Sequence, residues 1–204
     1  MKRDYDMIVI GGGAAGLTAS GISASFGAKT ALIEAKKLGG DCTWYGCVPS
    51  KTLLKAAKIA HHFKTADRYG LESSEAKFDF SKVIGHIHKT QEEVYRDADD
   101  PAIYEKMGID VLSGSAGFLD NHTIEFTSND GETSRLSSRY FIIATGSSAV
   151  VPPIEGLPDV EYLTNETIFS VDRLPQKMIV VGAGPIGVEM SQAFRRFGAE
   201  VTVI

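Results

Sequence analysis

The chain has 204 residues, 43% hydrophobic and 23% charged, proportions that exclude a mainly disordered or collagen-like polymer. At roughly 150 residues per domain, this length fits one complete domain plus part of another. With 21 basic against 26 acidic side chains the net charge is -5. The lysines are scattered, so neither nucleic acid nor an anionic membrane is an expected partner.

The first residues carry Lys2 and Arg3 ahead of a short apolar run, but Asp4 and Asp6 interrupt it and glycines follow at once, unlike a signal peptide. No apolar stretch approaches the roughly 18 residues needed to cross a bilayer. The two cysteines, Cys42 and Cys47, lie close together. In a cytoplasmic chain, the expected setting here, such a pair points to redox or metal chemistry rather than to a structural staple.

In chain order, residues 8–10 read as a buried strand, followed by a glycine loop, a helix and a second apolar run ending in Glu34. Gly11, Gly13 and Gly16 form G-x-G-x-x-G, in which the first glycine permits the turn, the second lets a phosphate approach the backbone and the third lets helix pack on strand. Glu34, 18 residues after Gly16, stands where a carboxylate accepts both hydroxyls of an adenosine ribose.

Next comes GGDCTWYGCVPSK, with a turn at Gly39 and Gly40 and a helix opening at Val48-Pro49-Ser50. Leu53, Leu54, Ala57 and Ala60 give that helix its buried stripe, and Lys51, Lys55 and Lys58 its wetter face. Cys47 falls at or just before the helix start, where the dipole and Lys51 one turn on favour a thiolate. Five residues of regular helix would hold the two cysteine Cα atoms about 7.5 Å apart, beyond the roughly 7 Å disulfide limit. Gly46 gives the loop freedom to bend inward. A reversible dithiol competes here with two inert thiols and with a metal site. Zinc would need two more ligands, and His61, His62, His86, His88 and His122 show no paired spacing with the cysteines, so no metal is expected.

His61 and His62 read as helix-end residues paired with the dipole. Residues 80–100 carry a helical period through Val83, Ile84, Ile87 and Val94, with His86 and His88 pointing apart. Pro101 and Gly108 bracket a short second helix. Strands follow at 109–112, 117–119 and 123–126, a turn at Asn129-Asp130-Gly131, and a strand ending in FIIATGS. Pro152, Pro153 and Pro158 mark a linker, which sets a division near Val150 into domains 1–150 and 151–204.

Residues 179–204 repeat residues 8–33 at one offset, 171: Gly11, Gly13 and Gly16 map onto Gly182, Gly184 and Gly187, and Phe26, Gly27 and Ala28 onto Phe197, Gly198 and Ala199. Two glycine fingerprints in register are far more specific than one, and each reads as the first half of a dinucleotide-binding unit. The image of Glu34 falls at position 205, so the second domain is expected to be incomplete. A carboxylate there would accept a 2′-hydroxyl, and Gly187 leans toward NADH. The expected fold class is α/β, with two Rossmann-like units in succession.

GGDCTWYGCVPSK between two such fingerprints resembles the active-site signature of the class I pyridine nucleotide-disulfide oxidoreductases, among them dihydrolipoamide dehydrogenase, glutathione reductase and mercuric reductase. The resemblance implies an FAD-binding domain followed by the start of an NAD(P)-binding domain. It makes Cys47 the thiol facing the flavin and Cys42 the more accessible interchange thiol that attacks substrate. Lys51 would lie by the flavin and pair with Glu189. It also implies FAD contacts from Gly11, Gly13, Ala14, Ala15, Gly16 and Glu34, from Gly40, Asp41, Cys42, Gly46, Cys47 and Lys51, from the Ala116 backbone, and from Ala144, Thr145 and Gly146. NAD(P)H would meet Gly182, Gly184, Pro185, Ile186, Gly187 and Glu189.

The implied activity carries electrons from NAD(P)H through flavin to a Cys42–Cys47 disulfide and on to a small-molecule disulfide or metal-thiol substrate. The whole protein would be a homodimer, with its acid-base histidine on a further domain of the other subunit. Asp41 and Trp44 depart from the threonine and asparagine common in the family, and the pattern most resembles the mercuric reductase-like branch. Dihydrolipoamide dehydrogenase is the alternative enzyme, and a flavin-binding redox sensor the alternative of another class.

Overall fold

The structure is a computed structural model that describes residues 3–204. It divides into two compact units: the chain to Trp44 together with Glu93–Val150, and Tyr45–Glu92 together with Val151–Ile204.

In the first unit, β1 (Tyr5–Ile10), α1 (Ala14–Ser25) and β2 (Thr30–Glu34) form one strand-helix-strand step. β1 pairs in parallel with β2, Met7 opposite Thr30 through Ile10 opposite Ile33. On its other edge β1 pairs in parallel with β5 (Thr133–Ile143). Side chains alternate across these strands as the pleat requires. Val9, Leu32 and Ile109 pack with Leu17 of α1 and Leu38 on one face. Ile8, Ile10, Ala31 and Ile33 pack with Ile124 and Phe126 on the other. Burial on both faces explains why the strands read as continuous apolar runs, and each fully buried Ile or Leu contributes about 1.5–3 kcal/mol.

The sequence divides residues 109–119 into two strands, but the chain forms one, β3 (Ile109–Asp120). Its first half runs parallel to β2 up to the Glu34–Ser113 pair, and its second half, from Gly114, runs antiparallel to β4 (Thr123–Ser128). The change of partner at Gly114, where a Cβ would collide with the Thr127 carbonyl, interrupts the apolar pattern without breaking the strand. β5 makes the same switch, antiparallel to β4 through Ser137 and parallel to β1 from Ser138, so the five strands close into a ring.

In the second unit β6 (Lys177–Val180) pairs in parallel with β7 (Glu200–Val203), joined by α6 (Pro185–Phe197). The core is Leu53, Ala57 and Ala60 of α3 (Cys47–Lys64), Phe80, Ile84 and Ile87 of α4 (Phe80–Val94), and Met190, Ala193, Phe194 and Phe197 of α6. Phe78, Phe80, Phe194 and Phe197 stack with tilted or edge-on rings, their centroids 5.1 to 5.8 Å apart. His88 meets the Phe169 carbonyl through Nε2 at 3.0 Å, and both His86 and His88 lie on the exposed side of α4. α4 passes into a single π-helical turn, Tyr95–Asp99, before α5 (Pro101–Lys106), which Asp100 caps by accepting the Ala102 N–H at 2.9 Å.

Candidate functional site

The duplication extends to individual backbone hydrogen bonds. Gly11 N–H donates to Ile33 O at 2.8 Å, and Gly182 N–H to Ile204 O at 2.8 Å. Gly11 and Gly182 have φ of 106° and 103°, the left-handed region that glycine enters without penalty. A Cβ on Gly16 would collide with the Gly11 carbonyl, and one on Gly187 with that of Gly182. Gly13 and Gly184 cap α1 and α6, and neither helix start is closed by a side-chain hydrogen bond. Ala14, Ala15, Pro185 and Ile186 occupy the opening turns of these helices. Each start leaves its first backbone N–H groups without a side-chain acceptor, an arrangement able to receive an anionic group such as a phosphate.

Glu34 ends β2 half-buried, accepting the Gly12 N–H at 2.6 Å through Oε2 and the Lys36 N–H at 2.7 Å through Oε1. Each carboxylate oxygen has two lone pairs, so one on each remains for a diol. Ala144 N–H donates to Ile10 O at 2.7 Å, and the Ala144–Thr145 backbone crosses so close to Gly11 that a Cβ there would strike the Ala144 carbonyl. Gly146 follows with φ of 72°. Ala116 lies three residues beyond the Glu34–Ser113 pair on β3, opposite Phe126.

The cysteine loop is tied to the first glycine loop within the same unit. Gly39 N–H donates to Gly12 O at 2.9 Å, Gly13 and Gly39 form a parallel bridge, and a Cβ on Gly40 would press on Gly13. α2 (Gly40–Trp44) starts at this contact and carries Asp41, exposed, and Cys42, partly buried. Tyr45 and Gly46 break the helix, Gly46 with φ of -129° and ψ of -108°, and Cys47 opens α3. Both cysteines are thiols in the structure. Cys47 is exposed at an open helix start, and Cys42 is partly buried on a helix that packs on the π-turn.

Within the second unit Lys51 Nζ stands 2.8 and 2.9 Å from the two carboxylate oxygens of Glu189, a bidentate pair linking α3 to α6. Desolvation, with Arg196 and Arg68 adding repulsion, holds His61 below the usual imidazole value. Among the described residues no group of three or more His, Cys, Asp or Glu is arranged to hold a metal ion.

The sequence pattern of the pyridine nucleotide-disulphide oxidoreductase family matches residues 5–204. The chain belongs to that family. A mercuric reductase of Lysinibacillus sphaericus is 35% identical over 203 residues, which are 100% of this chain and 36% of that protein. A dihydrolipoyl dehydrogenase of Acholeplasma laidlawii is 36% identical over 209 residues, covering 100% of this chain and 60% of its own length. The Cu(II) complex of the HOCl-induced flavoprotein disulfide reductase RclA from Escherichia coli superposes with a TM-score of 0.82 at 29% identity, over 100% of this chain and 42% of that one. The chain thus spans only part of the length of the relatives it matches, and it shares the α/β fold of the corresponding part of that solved structure.

Several contributors to the site escaped the sequence reading. Gly12 supplies the N–H that orients Glu34, and Gly39 leaves room for Thr43 and Asp99, whose atoms a Cβ would meet at 2.7 to 2.9 Å. Thr43 Oγ1 donates to Asp99 Oδ2 at 2.6 Å across 56 residues of sequence, a separation that no local periodicity encodes. The middle glycine of GGG and the doubled glycine before Asp41 were the visible signals for the first two.

Proposed function

We propose that this chain is the nucleotide-binding and dithiol portion of an FAD-dependent oxidoreductase that takes electrons from NAD(P)H and delivers them to a small-molecule disulfide or metal-thiol substrate. The observation that carries this reading is the docking of Gly39 and Gly40, at the root of the Cys42 helix, on Gly13, the cap of α1. A nucleotide held by the first glycine loop would therefore lie beside a redox-capable thiol. Residues 1–150 form the FAD-binding part in this reading and residues 151–204 the start of the NAD(P)-binding part.

Bound FAD would supply a two-electron relay between the nicotinamide and the cysteines. The N-terminus of α1 and Gly13 hold its pyrophosphate, Glu34 accepts its ribose hydroxyls, and Ala116 and the Ala144–Gly146 backbone flank it. Gly182, Gly184 and Gly187, with the start of α6, hold the nicotinamide nucleotide, and Glu189 fixes the Lys51 ammonium beside the reacting rings. Breaking the Cys42–Cys47 bond takes up two electrons and two protons and gives two thiols. Cys42 then attacks a substrate disulfide or binds a metal-thiol, and Cys47 closes on Cys42 to release the reduced product. Relatives named for mercury and for lipoamide are almost equally similar to this chain, so both acceptors belong in the assay. The family resemblance carries the further reading of a cytoplasmic homodimer.

The test is steady-state turnover of the complete protein with NADH or NADPH against a disulfide and a mercuric thiol complex. Cycling that Cys42→Ser and Cys47→Ser each abolish is expected. A protein that titrates once and stops is a redox sensor, and turnover persisting in both serine variants rejects the dithiol.

A further inference from the structure

α2 has only five residues, too short to be stable alone, yet it carries Cys42 in a defined place. What holds it is a set of contacts within the first unit. Lys37 Nζ lies 3.9 Å from the centroid of the Trp44 ring and 4.0 Å from that of Tyr95, and the two rings meet at 5.5 Å with a 52° tilt. Trp44 Nε1–H donates to Leu38 O at 2.8 Å, closing the loop from residue 38 to 44 on itself. On the same turn Thr43 donates to buried Asp99. Tyr95 and Asp99 are the first and last residues of the π-helical turn, and π-turns recur where a helix is adapted to a task.

We propose that Trp44 is a positioning residue for the exchange thiol: by sandwiching the Lys37 ammonium against Tyr95 it orders α2 in the dithiol state, so that the segment carrying Cys42 has less freedom left to lose when Cys42 bonds to Cys47. Trp44 occupies the position where the sequence departs from the family's asparagine, and it is two residues from Cys42. The proposal rests on the dithiol reading above. Its consequence is thermodynamic. Oxidation of the two thiols removes two electrons and two protons and forms one S–S bond. A loop ordered beforehand loses less entropy on closing, so the disulfide is favoured over a loop that must first be ordered. Without the ring the disulfide is the weaker partner and the couple is more oxidising.

The experiment equilibrates the complete protein with mixtures of reduced and oxidised dithiothreitol, then quenches with acid and counts alkylated Cys42 and Cys47. Oxidised dithiothreitol takes up the two electrons and two protons as its own S–S bond breaks. Trp44→Ala is expected to lower the equilibrium constant for disulfide formation about tenfold, a shift of about 30 mV for a two-electron couple. Lys37→Met, which keeps both rings, should give a smaller change in the same direction. Trp44→Phe, which keeps a ring over the ammonium, should restore the constant to within about twofold of wild type. Constants for Trp44→Ala and Lys37→Met equal to wild type, a shift toward a more reducing couple, or a Trp44→Phe shift as large as that of Trp44→Ala would each overturn the proposal. If the wild type forms no Cys42–Cys47 disulfide at any ratio, the dithiol reading itself fails, a result distinct from all of these.

Discussion

Glu189→Gln separates chemistry from stability because the structure fixes how little its ion pair can stabilise. The pair is bidentate, at 2.8 and 2.9 Å, but the side chains of Lys51 and Glu189 are 63% and 38% exposed. An exposed pair of this kind contributes about 0.2–1 kcal/mol at moderate salt. In a domain of this size that corresponds to a fall in Tm of less than about 4 °C. If Glu189 instead holds the ammonium where charge develops during electron transfer, the same substitution should lower kcat at least about tenfold, or about 1.4 kcal/mol of activation energy. Thermal unfolding and steady-state kinetics on the complete protein read both quantities. A Tm loss well above 4 °C with a proportionate activity loss would show a structural strut, and unchanged kcat would remove the pair from the mechanism.

Gly16→Ala should force the glycine loop away from its helix, costing about 1–3 kcal/mol and releasing flavin, whereas Gly187→Ala should raise the KM for the nicotinamide nucleotide while flavin content stays the same. Measured flavin stoichiometry and KM check the pair. In flavin-free protein Cys47, the more exposed thiol, should react with iodoacetamide before Cys42, and adding FAD should reverse that order; mass mapping of the alkylated peptides decides. Burial and donation to Asp110 at 2.9 Å push the Tyr5 hydroxyl up to about 12. Its proton therefore stabilises the fold fully below the ordinary phenol value near 10, and the contribution is lost as pH rises toward 12. Tyr5→Phe should remove that component of the alkaline stability profile, which unfolding free energies measured across the alkaline range check.

The repeat was legible because glycine is one of the few residues whose backbone geometry shows in the sequence. A turn near φ of 105° and a carbonyl against the third glycine leave the same three-letter mark at residues 11–16 and 182–187. Glu34 was legible for the same reason, at a fixed distance from a recognisable loop. The long β3 was not, since a strand that changes from a parallel to an antiparallel partner at Gly114 loses its alternation where it crosses. Lys51 with Glu189, 138 residues apart, came only through resemblance. The Lys37–Trp44–Tyr95 sandwich came from nothing in the sequence, because a tryptophan near a helix start reads as packing until its ring partners are placed.

In the proposed function, electrons from a nicotinamide nucleotide open a Cys42–Cys47 bond. Counting alkylatable thiols in the air-oxidised complete protein, before and after one equivalent of NADH or NADPH without oxygen, tests it most directly. Two new thiols per chain, mapped to Cys42 and Cys47, are the predicted result. No gain at these two positions while the flavin bleaches would contradict it.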